Sequence, residues 1–231
     1  MCDECGCEER NRVVEVGEDI LKENLRYAAH NRQHLDEHGV FSVELISAPG
    51  SGKTSLIEAL SDHLAGVGMA VIEGDIETAR DAERIRAKGI PAFQLTTGGA
   101  CHLDARLVHG AFHHLPLNGV RLLFIENVGN LVCPAAFQLG AHQRWVILSV
   151  PEGDDKPAKY PRAFREASVF ILNKTDLLSH MEFDLERVKS EALSLNPYLR
   201  FFAVSARTGQ GIPELAEYTK GLLKPLPSAG A

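Results

Sequence analysis

No stretch of the 231-residue chain holds the roughly 18 consecutive apolar residues that a membrane-crossing helix requires, so no membrane partner is expected. The opening residues, Met1-Cys2-Asp3-Glu4-Cys5-Gly6-Cys7-Glu8-Glu9, are acidic and have no apolar core, which excludes a secretory signal peptide and implies a cytoplasmic address. A basic stripe is missing as well. The net charge is -7, with 24 Lys and Arg against 31 Asp and Glu. Nucleic-acid binding runs on Lys and Arg contacts to phosphates, so no nucleic-acid partner is expected. There is no internal repeat. In a reducing compartment five cysteines point to metal or redox chemistry before disulfides.

What is present centres on Ser47-Ala48-Pro49-Gly50-Ser51-Gly52-Lys53-Thr54. It follows the apolar run 41–46 and precedes a helix-like segment. A strand, a Gly-rich turn and a helix N-terminus in that order make a phosphate cradle. Backbone N–H groups of Gly50, Ser51, Gly52 and Ser55 face phosphate oxygens, Lys53 reaches the β and γ phosphates, and the Thr54 hydroxyl holds Mg²⁺. Ser47 stands where the phosphate-loop pattern has its first Gly. The expectation is that this position needs no left-handed backbone.

Strands are predicted at 41–47, 69–73, 91–95, 121–126, 145–150, 168–172 and 200–204. Helices are predicted at 19–38, 53–66, 78–88, 103–114, 135–140, 157–166, 182–194 and 212–223. Leu122 to Ile125 and Trp145 to Leu148 are continuous apolar runs, as buried parallel strands require. The alternation predicts one α/β domain, a P-loop NTPase with a doubly wound, mostly parallel sheet flanked by helices. The domain spans 17–224, between a flexible metal-binding tail at 1–16 and a disordered tail at 225–231.

Asn173-Lys174-Thr175-Asp176 follows an apolar strand. The Asp176 carboxylate can accept from guanine N1–H and the exocyclic amine, a donor pair adenine lacks. Asn173 can tie this loop to the phosphate loop, and the Lys174 stem can cover the base. Ser205-Ala206 follows the last strand and offers a backbone N–H to guanine O6. The nucleotide is therefore GTP.

For Mg²⁺, which takes oxygen ligands, the candidates beside Thr54 are Asp75 and Glu126, each ending a strand. Asp75 has a helix cap or loop carboxylate as its alternative reading. Gly129, three residues after Glu126, can offer its N–H to the γ-phosphate, so its loop changes on hydrolysis. Lys53, Asp75, Glu126 and Gly129 form the candidate catalytic set. No Gln or Arg is placed to orient water, which predicts slow turnover.

Two thiol clusters remain. Cys2, Cys5 and Cys7 lie within six residues and can wrap one soft or borderline ion such as Ni²⁺ or Zn²⁺, the alternative being a redox tail. Cys101 and His102, adjacent at an expected helix start, and Cys133 form the second. Two neighbours on a regular helix do not easily chelate one ion, which favours sharing it with a symmetry mate. Cys133 lies four residues after Gly129 and would move with the nucleotide state. Alternatively it is a small buried apolar residue. His30, His34 and His38 share a helix face, and His109 and His113 form a further pair. Both groups read first as solvated or packing residues.

Together Cys-x-x-Cys-Gly-Cys, Ala-Pro-Gly-Ser-Gly-Lys-Thr, Glu-Gly-Asp, Ala-Cys-His-Leu-Asp, Glu-Asn-Val-Gly-Asn-Leu-Val-Cys-Pro and Asn-Lys-Thr-Asp resemble the hydrogenase nickel-incorporation GTPases, the HypB family. The resemblance covers nearly the whole chain. It implies a P-loop GTPase that forms a homodimer with nucleotides facing the interface and hydrolyses GTP slowly. It implies placement of nickel into the [NiFe]-hydrogenase large subunit precursor, together with a small zinc-containing nickel metallochaperone. By the same resemblance Cys2, Cys5 and Cys7 form a tight nickel site, and Cys101, His102 and Cys133 a nickel or zinc site at the dimer interface. The long His-rich run of some members is missing here. Rival readings are a urease nickel-accessory GTPase, a metal-storage module with a vestigial GTPase site, and a P-loop kinase.

Overall fold

The computed structural model describes residues 7–75 and 80–223, with side chains in the first helix from residue 19 onward. Seven strands form one sheet: β1 (Phe41–Ser47), β2 (Met69–Asp75), β3 (Ala92–Thr96), β4 (Leu122–Glu126), β5 (Gln143–Ser149), β6 (Val169–Asn173) and β7 (Arg200–Ala203). Their order is β3-β2-β4-β1-β5-β6-β7, and every strand pair is parallel. This is the doubly wound α/β architecture expected.

The helices are α1 (Cys7–Glu37), α2 (Lys53–His63), α3 (Arg80–Ala87), α4 (Ala105–Ala111), α5 (Cys133–Ala136), α6 (Lys156–Lys159), α7 (Pro161–Arg165), α8 (Leu185–Leu195) and α9 (Ile212–Leu222). Alternation along each strand divides the core. Val43, Leu45, Phe124, Trp145 and Ile171 join residues of α2 and α9 on one face. On the other, Leu123 and Ile125 meet Leu35 of α1 and Val108 of α4, while Ile46, Val146 and Phe170 meet Phe164 of α7 and Val188 of α8. Covering both faces explains why the central strands are apolar throughout. Each of these side chains contributes roughly 1.5–3 kcal/mol on leaving water.

The chain leaves β4 and returns on the other side of β1, as β5. The loops after β1 and β4 therefore meet at the carboxyl edge of the sheet, where ligands of such folds bind.

Four element predictions are corrected. Helix α1 begins at Cys7, so its backbone enters the stretch read as a tail. The helix expected at 135–140 is one turn at Cys133–Ala136, and Phe137 is already extended. The helix expected at 157–166 breaks at Tyr160, because Pro161 has no N–H and disfavours helical backbone before it. The helix expected from 103 begins at Ala105, where the Asp104 carboxylate caps it by accepting the Leu107 N–H at 2.7 Å. Residues 1–6, 76–79 and 224–231 lie outside the described residues.

Candidate functional site: a phosphate loop joined to a thiol–imidazole cluster

The phosphate loop is built as its spacing requires. Gly50 and Gly52 take φ of 73° and 94°, the left-handed region open to glycine. A Cβ on Gly52 would lie 2.6 Å from Asn173 Nδ2. Ser47 is the last residue of β1, is not left-handed and is fully buried. Its hydroxyl accepts from Lys53 Nζ at 2.9 Å and Ser51 Oγ at 2.6 Å, and donates to the Ala48 carbonyl. A glycine could not hold the Lys53 ammonium this way. Ser55, in the first turn of α2, accepts from Arg84.

The base loop is tied to this cradle. Asn173 Nδ2 donates to the Ser51 carbonyl at 2.9 Å, and Lys174 Nζ donates to the Gly50 carbonyl at 2.6 Å. Lys174 is left-handed (φ 60°), the one such non-glycine among the described residues. Asn173 Oδ1 accepts the Ala206 N–H at 3.1 Å. Asp176 accepts from Ser205 Oγ at 2.6 Å and pairs with Arg207 at 2.9 Å. The Ser205 hydrogen bond, helped by the Arg207 charge, holds its carboxyl below the usual range. Asn173, Lys174, Asp176 and Ala206 line a cleft of about 780 Å³ that also meets Gly52 and Ser55, room enough for a nucleoside.

Beside Thr54 lies a buried acidic group. Thr54 Oγ1 is 3.1 and 3.2 Å from the two oxygens of Glu126. Lys53 Nζ stands 3.9 Å from Glu126. Carboxylate oxygens of Glu73, Asp81 and Glu126 all lie within 4.8 Å of one another. Burial pushes Glu126 up to about 7 against the pull of Lys53. Burial, then the Glu126 charge, pushes Glu73 up to about 8. Glu73 Oε2 is buried with no hydrogen-bond partner. A hydroxyl and three crowded carboxylates, one of them with an orphaned oxygen, are a donor set suited to a hard divalent cation. Asp75, the sequence-based candidate, ends β2 next to the undescribed residues 76–79 and is not one of the three. Sequence reasoning missed Glu73 and Asp81. The signal for Glu73 was a charge directly after the apolar run Met69–Ile72 and still inside β2.

Cys101, His102 and Cys133 come together within one chain, their ligand atoms within 4.8 Å of one another. Cys101 Sγ is 3.7 Å from His102 Nδ1. The premise that neighbours on a helix cannot both face one point does not apply, because both precede α4 in an irregular loop. Burial lowers the His102 pKa, and the hydrogen bond with Cys101 raises that of Cys133. Two thiols and a neutral imidazole suit Ni²⁺ or Zn²⁺. Cys2 and Cys5 lie outside the described residues, as does the Cys7 side chain.

The loop from Glu126 to Cys133 runs between the two sites. A Cβ on Gly129 would sit 2.8 Å from the Pro49 Cα, so the loop presses on the phosphate cradle. Asn130 bridges to Ser47, and its side chain approaches the Cys101 carbonyl at 3.5 Å. Asn127, fully buried, accepts the Leu103 N–H at 3.0 Å and donates to Glu44 at 2.8 Å. Glu44 is in turn paired with Arg144 at 2.9 Å.

Fold and site define a P-loop nucleotide-binding protein with a thiol–imidazole cluster where the loop after β4 meets the loop before α4. A family model described as "CobW/HypB/UreG, nucleotide-binding domain" matches residues 42–203. The hydrogenase maturation factor HypB of Azotobacter chroococcum is 51% identical over 209 residues, covering 89% of this chain and 68% of that protein. Solved structures are similar as well, among them two HypB proteins. HypB from Helicobacter pylori in complex with nickel gives a TM-score of 0.83 at 38% identity, covering 89% of this chain and 99% of that one. Hydrogenase maturation factor HypB from Archaeoglobus fulgidus gives 0.82 at 39%, covering 88% and 100%. The chain belongs to the HypB family of hydrogenase maturation factors.

Proposed function

We propose that this chain is a cytoplasmic GTPase that hands on nickel during [NiFe]-hydrogenase maturation, with GTP hydrolysis driving the transfer. One observation carries the reading: the loop that leaves Glu126 packs on the phosphate cradle through Gly129 and Asn130 and ends in Cys133, beside Cys101 and His102. A change at the γ-phosphate is thereby a change at a nickel ligand.

Asp176 selects guanine, and binding requires Arg207 to release it. Lys53 leaves Ser47 for the β and γ phosphates, and the amides of residues 50–55 hold their oxygens. Thr54 and Glu126, with Glu73, Asp81 or Asp75, would hold Mg²⁺. That ion, when bound, neutralises charge developing on the phosphate oxygens. Gly129 offers its N–H to the γ-phosphate and draws the loop inward. Among the described residues no Arg or Gln is assigned to orient water, so turnover is slow. Nickel is cargo, taken at Cys101, His102 and Cys133 and at the thiols of Cys2, Cys5 and Cys7. Zinc competes for the same donors. Two copies form a homodimer with nucleotide or metal, a small zinc-containing metallochaperone is the nickel donor or acceptor, and the hydrogenase large subunit precursor is the destination.

The test is phosphate release from GTP and ATP, with nickel transfer to a chelator. The reading expects release from GTP only, its loss in Lys53→Ala, and transfer that no longer depends on GTP in Cys133→Ser. Equal turnover of ATP, or unchanged GTP-dependent transfer in Cys133→Ser, contradicts it.

A further inference from the structure

The histidines on the seam between α1 and α4 belong to neither site described above. His109 is half-buried against α1, and His30 and His113 are exposed on either side. The His30 ring stacks on His109 at 4.8 Å and 24°. His113, one turn on, meets His109 edge-on at 5.7 Å and 84°. Residues four apart on a helical path share a face. The remaining two histidines of α1 and its end are otherwise engaged: His34 stacks on Phe112 at 5.0 Å, and its carbonyl takes the His38 Nδ1–H at 2.8 Å.

The tautomer of His109 follows from its neighbour. Asn31 is fully buried, and its amide nitrogen donates to the carbonyls of Ala105 at 2.8 Å and Leu139 at 3.0 Å. The other atom, Oδ1, is thereby an acceptor, and it lies 3.1 Å from His109 Nδ1. Nδ1 must carry the proton, which leaves the Nε2 lone pair free. A histidine whose second nitrogen is pinned to a buried acceptor is how proteins orient imidazole ligands. Partial burial, with His30 and His113 adding repulsion, holds the His109 pKa below the usual histidine range.

We infer that His109, His30 and His113 form a further, all-imidazole site for a borderline divalent transition ion of the Ni²⁺, Zn²⁺ or Cu²⁺ class. The three rings do not yet gather their nitrogens within ligand distance of one another. Closure on an ion takes rotation of the two exposed rings, while His109 stays fixed by Asn31. With no thiolate, this site binds more weakly than the cysteine sites and exchanges faster. It uses no residue of the nucleotide or thiol machinery, so it stands whether or not the GTPase reading does.

The probe is Zn²⁺, dialysed against the full chain at pH 7.5 and counted per protein. The expected result is about one fewer zinc in His30→Gln/His113→Gln, with nickel–thiolate absorption unchanged. In protein labelled with ¹⁵N-histidine, zinc moves the His109 Nε2 resonance while Nδ1 stays protonated. Asn31→Ala, which frees the ring, weakens this site about tenfold. Equal zinc content in the exposed double variant and the parent, or a His109 Nε2 resonance unmoved by zinc, overturns the assignment. Both mutated rings are exposed, so that variant keeps the core intact.

Discussion

The Asn127 side-chain oxygen accepts the Leu103 N–H at 3.0 Å, joining the end of β4 to the loop that carries Cys101 and His102. The same amide donates to Glu44 in β1, so one buried residue ties β1, the loop after β4 and the loop that carries Cys101 and His102 together. In Asn127→Ala the Leu103 N–H and a Glu44 oxygen lose their partners, at about 1–3 kcal/mol of stability. The specific expectation is that zinc affinity at Cys101, His102 and Cys133 falls about tenfold, since that loss is worth about 1.4 kcal/mol, while GTP affinity changes little. Competition with a chromophoric chelator reads the first, and nucleotide titration the second.

The acidic group beside Thr54 makes stability depend on pH. Glu126 and Glu73 titrate near 7 and 8, against an ordinary glutamate value of 4.5. Between those values the folded chain holds more protons than the unfolded one, so stability falls as pH rises. With chelator present, the melting temperature should drop from pH 6 to pH 8.5, at roughly 2–4 °C per kcal/mol for a chain of this size. Glu73→Gln should flatten the slope, and Mg²⁺ should restore stability at the alkaline end. A profile identical in wild type and Glu73→Gln would show that Glu73 is not the cause.

In the proposed function guanine selection rests on Asp176, which in the structure is paired with Ser205 and Arg207. Asp176→Asn should weaken GTP binding by about 1–3 kcal/mol, because an acceptor is replaced by an amide facing donors, with ATP affinity unchanged. Arg207→Ala should act in the opposite direction by freeing the carboxylate. Fluorescent-nucleotide competition distinguishes the two.

Gly129 has no room for a side chain: a Cβ would approach the Pro49 Cα to 2.8 Å. Gly129→Ala should lift the switch loop from the phosphate cradle. GTP turnover should fall about tenfold or more, a barrier increase of about 1.4 kcal/mol, with the fold retained by circular dichroism. Unchanged turnover would mean that the loop does not act on the γ-phosphate.

The phosphate and base loops were legible because each is a short string whose neighbours in sequence are also its neighbours in space. The sheet was legible because its buried strands are continuous apolar runs. The carboxylate group was not, since Glu73, Asp81 and Glu126 meet only after β2, β4 and α3 are assembled. The joint reach of Cys101 and His102 was obscured by starting a helix at 103, although Asp104 is a cap residue. The break before Pro161 was readable from the proline itself. Asn127 offered no local clue, since an amide at a strand end takes its meaning from the loop packed over it.

The central claim is that nucleotide state and metal site are coupled, and coupling of this kind is reciprocal. The most direct measurement is nickel affinity of the full chain with a non-hydrolysable GTP analogue and with GDP, at equal magnesium. A difference of about fivefold or more is predicted, with the same factor in GTP-analogue affinity measured with and without nickel. Identical nickel affinity in the two nucleotide states would contradict it.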